Sequence, residues 1–215
     1  MATVERIQEN FLAKHERRLL NWLCPRLPAW VSPDLLTSIG FGGSMVSALG
    51  YVLSNDSRAW LWLAVIGYFI NWFGDSLDGS VARYRRIERP NFGYFVDHST
   101  DALGTVILLG SIGLSPYARL DVMLIVLITY LLLSIHAFLA AKVVDEFRLS
   151  YVGAGPTELR LLLIAITLTM YALGPMASPW AGFTVFDAFV LGFSAILLSL
   201  FVIQTLQTAR KIGQR

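Results

Sequence analysis

Four aspartates hold the clearest chemical potential in this sequence. Asp75 and Asp78 are three residues apart, and Asp97 and Asp101 are four apart. On a helix, each pair shares a face. Asn71, Asp75, Asp78, Gly79, Ala82 and Arg83 also recur at helical steps, so an amide, two carboxylates, two small residues and an arginine line one stripe. On the next stretch Gly93, Asp97 and Asp101 do the same. If the two stripes meet, four carboxylates surround one small volume. Like charges at that density repel unless divalent cations sit between them, and hard oxygen donors suit Mg²⁺ or Mn²⁺. Gly79, Ala82 and Gly93 leave room for a ligand or for close helix approach. Arg83 offers a planar fork suited to phosphate. The combination describes a metal-dependent site for a phosphorylated substrate. The competing reading is a set of interfacial acids neutralised by Arg83, Arg85, Arg86 and Arg89.

The elements that must position these residues are membrane helices. Of 215 residues, 55% are hydrophobic and 15% charged, with mean hydropathy +0.59. A soluble domain carries about 25% charge, so an ordinary water-soluble enzyme is excluded, as is intrinsic disorder. Six stretches are long and apolar enough to span a bilayer: 35–54, 59–82, 93–114, 120–141, 159–173 and 185–206. They lack the alternation of a β-barrel strand. Fifteen of the seventeen Lys and Arg fall on one side of this layout, leaving Arg58 and Arg119 on the other. Both termini are therefore expected in the cytoplasm. The aspartates then sit at cytoplasmic span ends, around the Arg-rich loop. Burying such charges is costly, about 2.5–3.5 kcal/mol each at mid-membrane, so they are expected to serve function.

Residues 1–32 read as an amphipathic juxtamembrane segment, residues 33–209 as a six-span catalytic domain, and residues 210–215 as a cytoplasmic tail. Ile7, Phe11, Leu19, Trp22 and Leu23 recur at roughly helical spacing among charged residues, which predicts a helix lying on the cytoplasmic surface and not a signal peptide. Pro25, Pro28 and Pro33 end that pattern, and Ser32 with Pro33 predicts the capped start of the first span. A net charge of +2 does not suggest a nucleic-acid binder. The single cysteine, Cys24, excludes an intrachain disulfide and a Cys-based zinc site.

The series Asp75-x-x-Asp78-Gly79-x-x-Ala82-Arg83, followed by Gly93-x-x-x-Asp97-x-x-x-Asp101, resembles the signature of the CDP-alcohol phosphotransferases (CDP-alcohol phosphatidyltransferases). Nine residues separate Arg83 from Gly93, where that signature has eight. The resemblance implies an all-α integral membrane fold: six transmembrane helices around a polar cavity, usually in a homodimer. It implies transfer of a substituted phosphate from a CDP-linked donor to a hydroxyl acceptor, with release of CMP. By the same resemblance Asp75, Asp78 and Asp97 would hold two divalent metals. Asp101 would act as general base and also touch a metal. Asp75, Gly79, Ala82 and Arg83 would line the CDP pocket, and Gly93 would permit helix approach. Asp97-His98-Ser99-Thr100-Asp101 and Gly155-Pro156-Thr157-Glu158 are similar to segments of the choline/ethanolamine phosphotransferase branch, whereas Ser80 and Asp34 depart from common family residues. Two donor and acceptor pairings remain open: a CDP-aminoalcohol with diacylglycerol, or CDP-diacylglycerol with a small polar alcohol. The short chain suggests a compact prokaryotic member in the cytoplasmic membrane.

Asn71, His98 and Glu158 are candidate substrate contacts, although Glu158 with Thr157 also suits a helix cap. His136, in an apolar stretch, suits an interhelix hydrogen bond better than a ligand. Trp60, Trp62, Trp72 and Trp180 suit aromatic belts or packing. The alternatives from other classes are an Mg²⁺-dependent polyprenyl transferase, an ion- or proton-coupled transporter, and an intramembrane aspartyl protease.

Overall fold

The computed structural model describes residues 5–7, 12–144, 146–148, 155–177 and 182–214. Among them are seven α-helices: α1 (Ala13–Leu23), α2 (Pro33–Leu53), α3 (Leu61–Arg85), α4 (Pro90–Gly113), α5 (Leu120–Val144), α6 (Pro156–Leu173) and α7 (Val185–Gly213). Two three-residue strands, β1 (Glu5–Ile7) and β2 (Glu146–Arg148), pair in parallel. Helices α2 to α7 coincide closely with the six apolar stretches. Four of them, α2, α5, α6 and α7, are long and apolar enough to cross a membrane. Helices α3 and α4 are 25 and 24 residues long, but they carry the aspartates and the arginines that lower their apolar character.

Local chemistry sets the boundaries. Ser32 caps α2 by accepting the Leu35 N–H at 3.1 Å, with Pro33 at the first helical position. Arg86 closes α3 in the left-handed region, at φ 58°. Pro90 starts α4 four residues later. Thr184 and Asp187 form a capping box on α7, and the fully buried Asp187 also accepts the Arg119 N–H at 2.8 Å.

Helices α2 and α3 form the most extensive pairing. Glycines permit it: a Cβ added at Gly43 would lie 2.3 Å from the Asn71 nitrogen, and one at Gly74 2.2 Å from the Gly40 nitrogen. This is the close backbone approach that small residues allow in membrane helices. It places the Asp75 stripe firmly against α2.

The main core joins Tyr51, Leu61, Tyr68, Ile112, Tyr117, Met123, Met170 and Phe186. Most of these lie where α2, α4 and α6 end and α3, α5 and α7 begin. Buried apolar side chains fill that end of the bundle among the described residues. A short polar chain crosses it, with the Tyr51 hydroxyl 3.1 Å from that of Tyr68 and 2.5 Å from Thr167 Oγ1. The aspartates lie toward the other end, beyond this packed layer.

The N-terminal segment departs from expectation. Residues 5–7 are extended and hydrogen-bonded to β2, so the helix starts only at Ala13; the Phe11 position lies outside the described residues. Helix α1 is amphipathic, with Leu19 and Trp22 exposed. Its Leu20 and Leu23 pack on a small core of Cys24, Val31, Leu36, Leu77 and Val81. It is also pinned to the bundle by polar contacts: Glu16 Oε1 accepts from Trp72 Nε1 at 2.9 Å, Ser76 Oγ at 3.0 Å and Thr157 Oγ1 at 2.7 Å. Trp72 therefore serves docking of α1 and not an aromatic belt.

Candidate active site

Helix α3 reverses into α4 through a short turn, and this hairpin brings three carboxylates together. Asp75, Asp97 and Asp101 each present an oxygen within 4.8 Å of the others. Such crowding of negative charge is unfavourable without compensating cations. The donor set of the trio is oxygen only, which fits a hard divalent ion such as Mg²⁺ or Mn²⁺. Asp78 is close by but turned elsewhere. Its Oδ2 accepts from Thr37 Oγ1 at 2.7 Å, and its Oδ1 from the Gly79 N–H at 2.5 Å. The convergence is thus a trio, with the fourth aspartate tied to α2, because Thr37 stands one helical turn before the Gly40 contact and offers a hydroxyl there.

The trio is braced from α6. Arg160 forms an ion pair with Asp75, and its Nε donates to Asn71 Oδ1 at 2.7 Å. Asn71 in turn donates to the Gly40 carbonyl at 2.9 Å and to Ser44 Oγ at 3.1 Å. Its amide belongs to this network, which links α2, α3 and α6, while Asn71 also lines the neighbouring cavity.

All four aspartates open on a cavity of about 1660 Å³. Polar groups gather at the aspartate level, where Gly79, Ser80, Arg83, His98, Glu158 and Arg160 also line it. Apolar side chains from α5, α6 and α7, among them Phe138, Leu162, Phe193 and Leu200, line the rest. Helix α1 borders the cavity with Glu16 and Arg17. The Arg83 guanidinium reaches Ser80 Oγ at 3.3 Å and passes Gly79 so closely that an added Cβ there would lie 3.2 Å from it. Gly79 therefore gives the arginine its place.

Other expected site residues fall differently. Ala82 is half-buried and does not line the cavity. Among the described residues, a Cβ added at Gly93 would meet nothing within 4 Å; Gly40, Gly43, Gly67 and Gly74 provide close helix approach between α2 and α3. Glu158 is a cap: its Oε2 accepts the Gly155 N–H and its Oε1 the Leu12 N–H, each at 3.0 Å. His98 Nδ1 lies 2.8 Å from the Tyr94 carbonyl, and its ring stacks on Tyr94, 4.3 Å between centroids. His136 Nδ1 meets Thr205 Oγ1 at 3.3 Å, the interhelix hydrogen bond expected of it.

Of the arginines in the competing reading, Arg85 and Arg89 are engaged away from the aspartate trio. Arg85 donates to the carbonyls of Leu27, Pro28, Ala29 and Val31, fastening the segment before α2. Arg89 pairs with Asp34. The arginine on the trio is Arg160, which the sequence presents only as one more basic residue at a span end. Thr37 and Glu16 also escape a reading by spacing, since their partners are 41 and at least 56 residues away.

Residues 30–206 match the family model described as CDP-alcohol phosphatidyltransferase. Cholinephosphotransferase 1 of Danio rerio is 33% identical over 92 residues, covering 40% of this chain and 24% of that protein. Cholinephosphotransferase 1 of Gallus gallus is 30% identical over 125 residues, 51% of this chain and 37% of that protein. An archaetidylinositol phosphate synthase of Pyrococcus horikoshii is 35% identical over 98 residues, 46% of this chain and 49% of that protein. The chain thus spans 24% to 49% of the length of these relatives.

Proposed function

The chain belongs to the CDP-alcohol phosphatidyltransferase family, and from that premise we propose that it is a phospholipid-synthesising transferase. It moves a substituted phosphate from a CDP-linked donor to a hydroxyl acceptor and releases CMP. The observation that carries this reading is the convergence of Asp75, Asp97 and Asp101 on one cavity wall, at positions matching the family signature.

Asp75, Asp97 and Asp101, with Asp78 as a fourth donor, would hold two divalent cations. When bound, such ions screen the pyrophosphate and stabilise the attacking and leaving oxygens. The chain's own groups supply the rest. Arg83 donates charge-assisted hydrogen bonds to donor phosphate oxygens, and Gly79 keeps space for both. Asp101 accepts the proton of the acceptor hydroxyl. That oxygen bonds to the phosphorus bearing the donated group, the bond from this phosphorus to the bridging oxygen breaks, and CMP leaves with that oxygen. The apolar part of the cavity takes the acyl chains of whichever partner is the lipid.

The cavity faces the cytoplasm and all six helices α2 to α7 span the bilayer, with residues 33–209 as the catalytic domain and both termini cytoplasmic. The distribution of Lys and Arg supports this orientation. The setting is a prokaryotic cytoplasmic membrane, and the assembly is a homodimer, as is usual in the family. Purified protein incubated with Mg²⁺ or Mn²⁺ and, separately, CDP-choline plus diacylglycerol, CDP-ethanolamine plus diacylglycerol, and CDP-diacylglycerol plus small polar alcohols tests the proposal. Metal-dependent CMP release in one arm supports it, and the lipid product identifies the pairing. No CMP in any arm contradicts it.

A further inference from the structure

The Asp75 carboxylate answers two demands at once. It belongs to the trio, and it is ion-paired to Arg160 from α6. The pair is well enclosed, with the side chains 13% and 18% exposed, so water and salt screen it little. The guanidinium is held in a prepared seat, because its Nε is engaged by Asn71, which α2 fixes through Gly40 and Ser44. An arginine has no lone pair to offer a metal. Where it grips a ligand oxygen it opposes a metal twice, by occupying a lone pair and by adding a unit of positive charge nearby. The same contact compensates the crowded acids and joins α3 to α6 when no metal is bound.

We propose that Arg160 is a built-in counter-ion that competes with the divalent cation for Asp75, weakening the trio's grip on metal while stabilising the metal-free bundle. This inference rests on the reading of the trio as a metal site. It predicts opposite signs for two quantities. Removing the guanidinium tightens metal binding and lowers metal-free stability. A residue that merely braces the fold, or one that helps aim Asp75 at a metal, gives loss of both.

The test uses the full chain, purified in detergent without nucleotide. Mn²⁺ binding is read from the spin-resonance signal of free Mn²⁺, and thermal unfolding is followed with and without the ion, for wild type, Arg160→Gln, Arg160→Lys and Asp97→Asn. Arg160→Gln is expected to bind Mn²⁺ roughly tenfold tighter, as on removal of a nearby unit charge. It should melt below wild type without Mn²⁺ and gain more from adding it. Lysine keeps the charge but cannot hold Asn71 and Asp75 together, so its affinity should fall between the two. Should Arg160→Gln fail to fold, the Arg160→Lys affinity decides. Binding in the Arg160 variants no tighter than wild type, while Asp97→Asn still weakens it, overturns the role of Arg160 alone. Wild-type binding that Asp97→Asn leaves unchanged, or no binding at all, overturns the metal reading and this inference with it.

Discussion

Thr37 on α2 donates a 2.7 Å hydrogen bond to Asp78 on α3, so the Asp78 carboxylate is anchored to a neighbouring helix while Asp75, Asp97 and Asp101 converge without it. Replacing Thr37 with valine keeps the shape and deletes the donor. A hydrogen bond to a charged group contributes about 1.5–3 kcal/mol, and Thr37→Val is expected to lose stability of that order. A lower thermal midpoint in detergent checks it; a midpoint equal to wild type would show that the contact contributes nothing.

Glu16 gathers three donors from α3 and α6 on one oxygen and thereby docks α1 along the cavity. Glu16→Ala leaves those donors unmet, at a cost of about 1–3 kcal/mol. Helix α1 should loosen first. Limited proteolysis at Lys14, Arg17 and Arg18 is expected to speed up several-fold, with cleavage in the remaining bundle unchanged. Equal cleavage rates would contradict the docking role.

The glycine contacts between α2 and α3 make a steric prediction. Gly43→Ala places a methyl 2.3 Å from the Asn71 nitrogen, which is backbone and cannot swing aside. The helices must part, at a cost of about 1–3 kcal/mol, and Asn71 moves with them. Gly93→Ala, where an added Cβ meets nothing within 4 Å, should leave the melting temperature close to wild type. Equal melting for both variants would refute the assignment of close packing.

How much of this was legible in the sequence depended on the range of the interaction. The stripe from Asn71 to Arg83 and the series Gly93, Asp97, Asp101 could be read by helical spacing, because their neighbours lie within two turns. The Ser32 cap and His136 as an interhelix donor or acceptor were legible for the same local reason. Arg160 was not, since nothing in its own segment distinguishes a residue that crosses to Asp75 from one that marks topology. At Gly93, spacing shows which face a small residue occupies, but not what stands opposite. Ile7 fits helical spacing, yet residues 5–7 pair with a strand some 140 positions later, which no local pattern announces.

The role assigned to Asp101 separates binding from chemistry. Asp101→Asn retains size and hydrogen-bonding capacity but cannot take the hydroxyl proton. Turnover is expected to fall by about 10²–10⁴-fold, the usual contribution of a positioned base. Binding of the CDP-linked donor, followed by calorimetry with Mg²⁺, should change by much less. Full turnover in this variant would remove Asp101 from the reaction.

On the proposed reading, carboxylates of two adjacent helices hold divalent ions beside the nucleotide. Crystals grown with Mn²⁺ and CDP, measured at the manganese absorption edge, test this arrangement. Anomalous peaks are expected within coordination distance of Asp75, Asp97 and Asp101, with the CDP phosphates alongside. CDP bound in the cavity with no such peak, or manganese bound away from these three side chains, would contradict it.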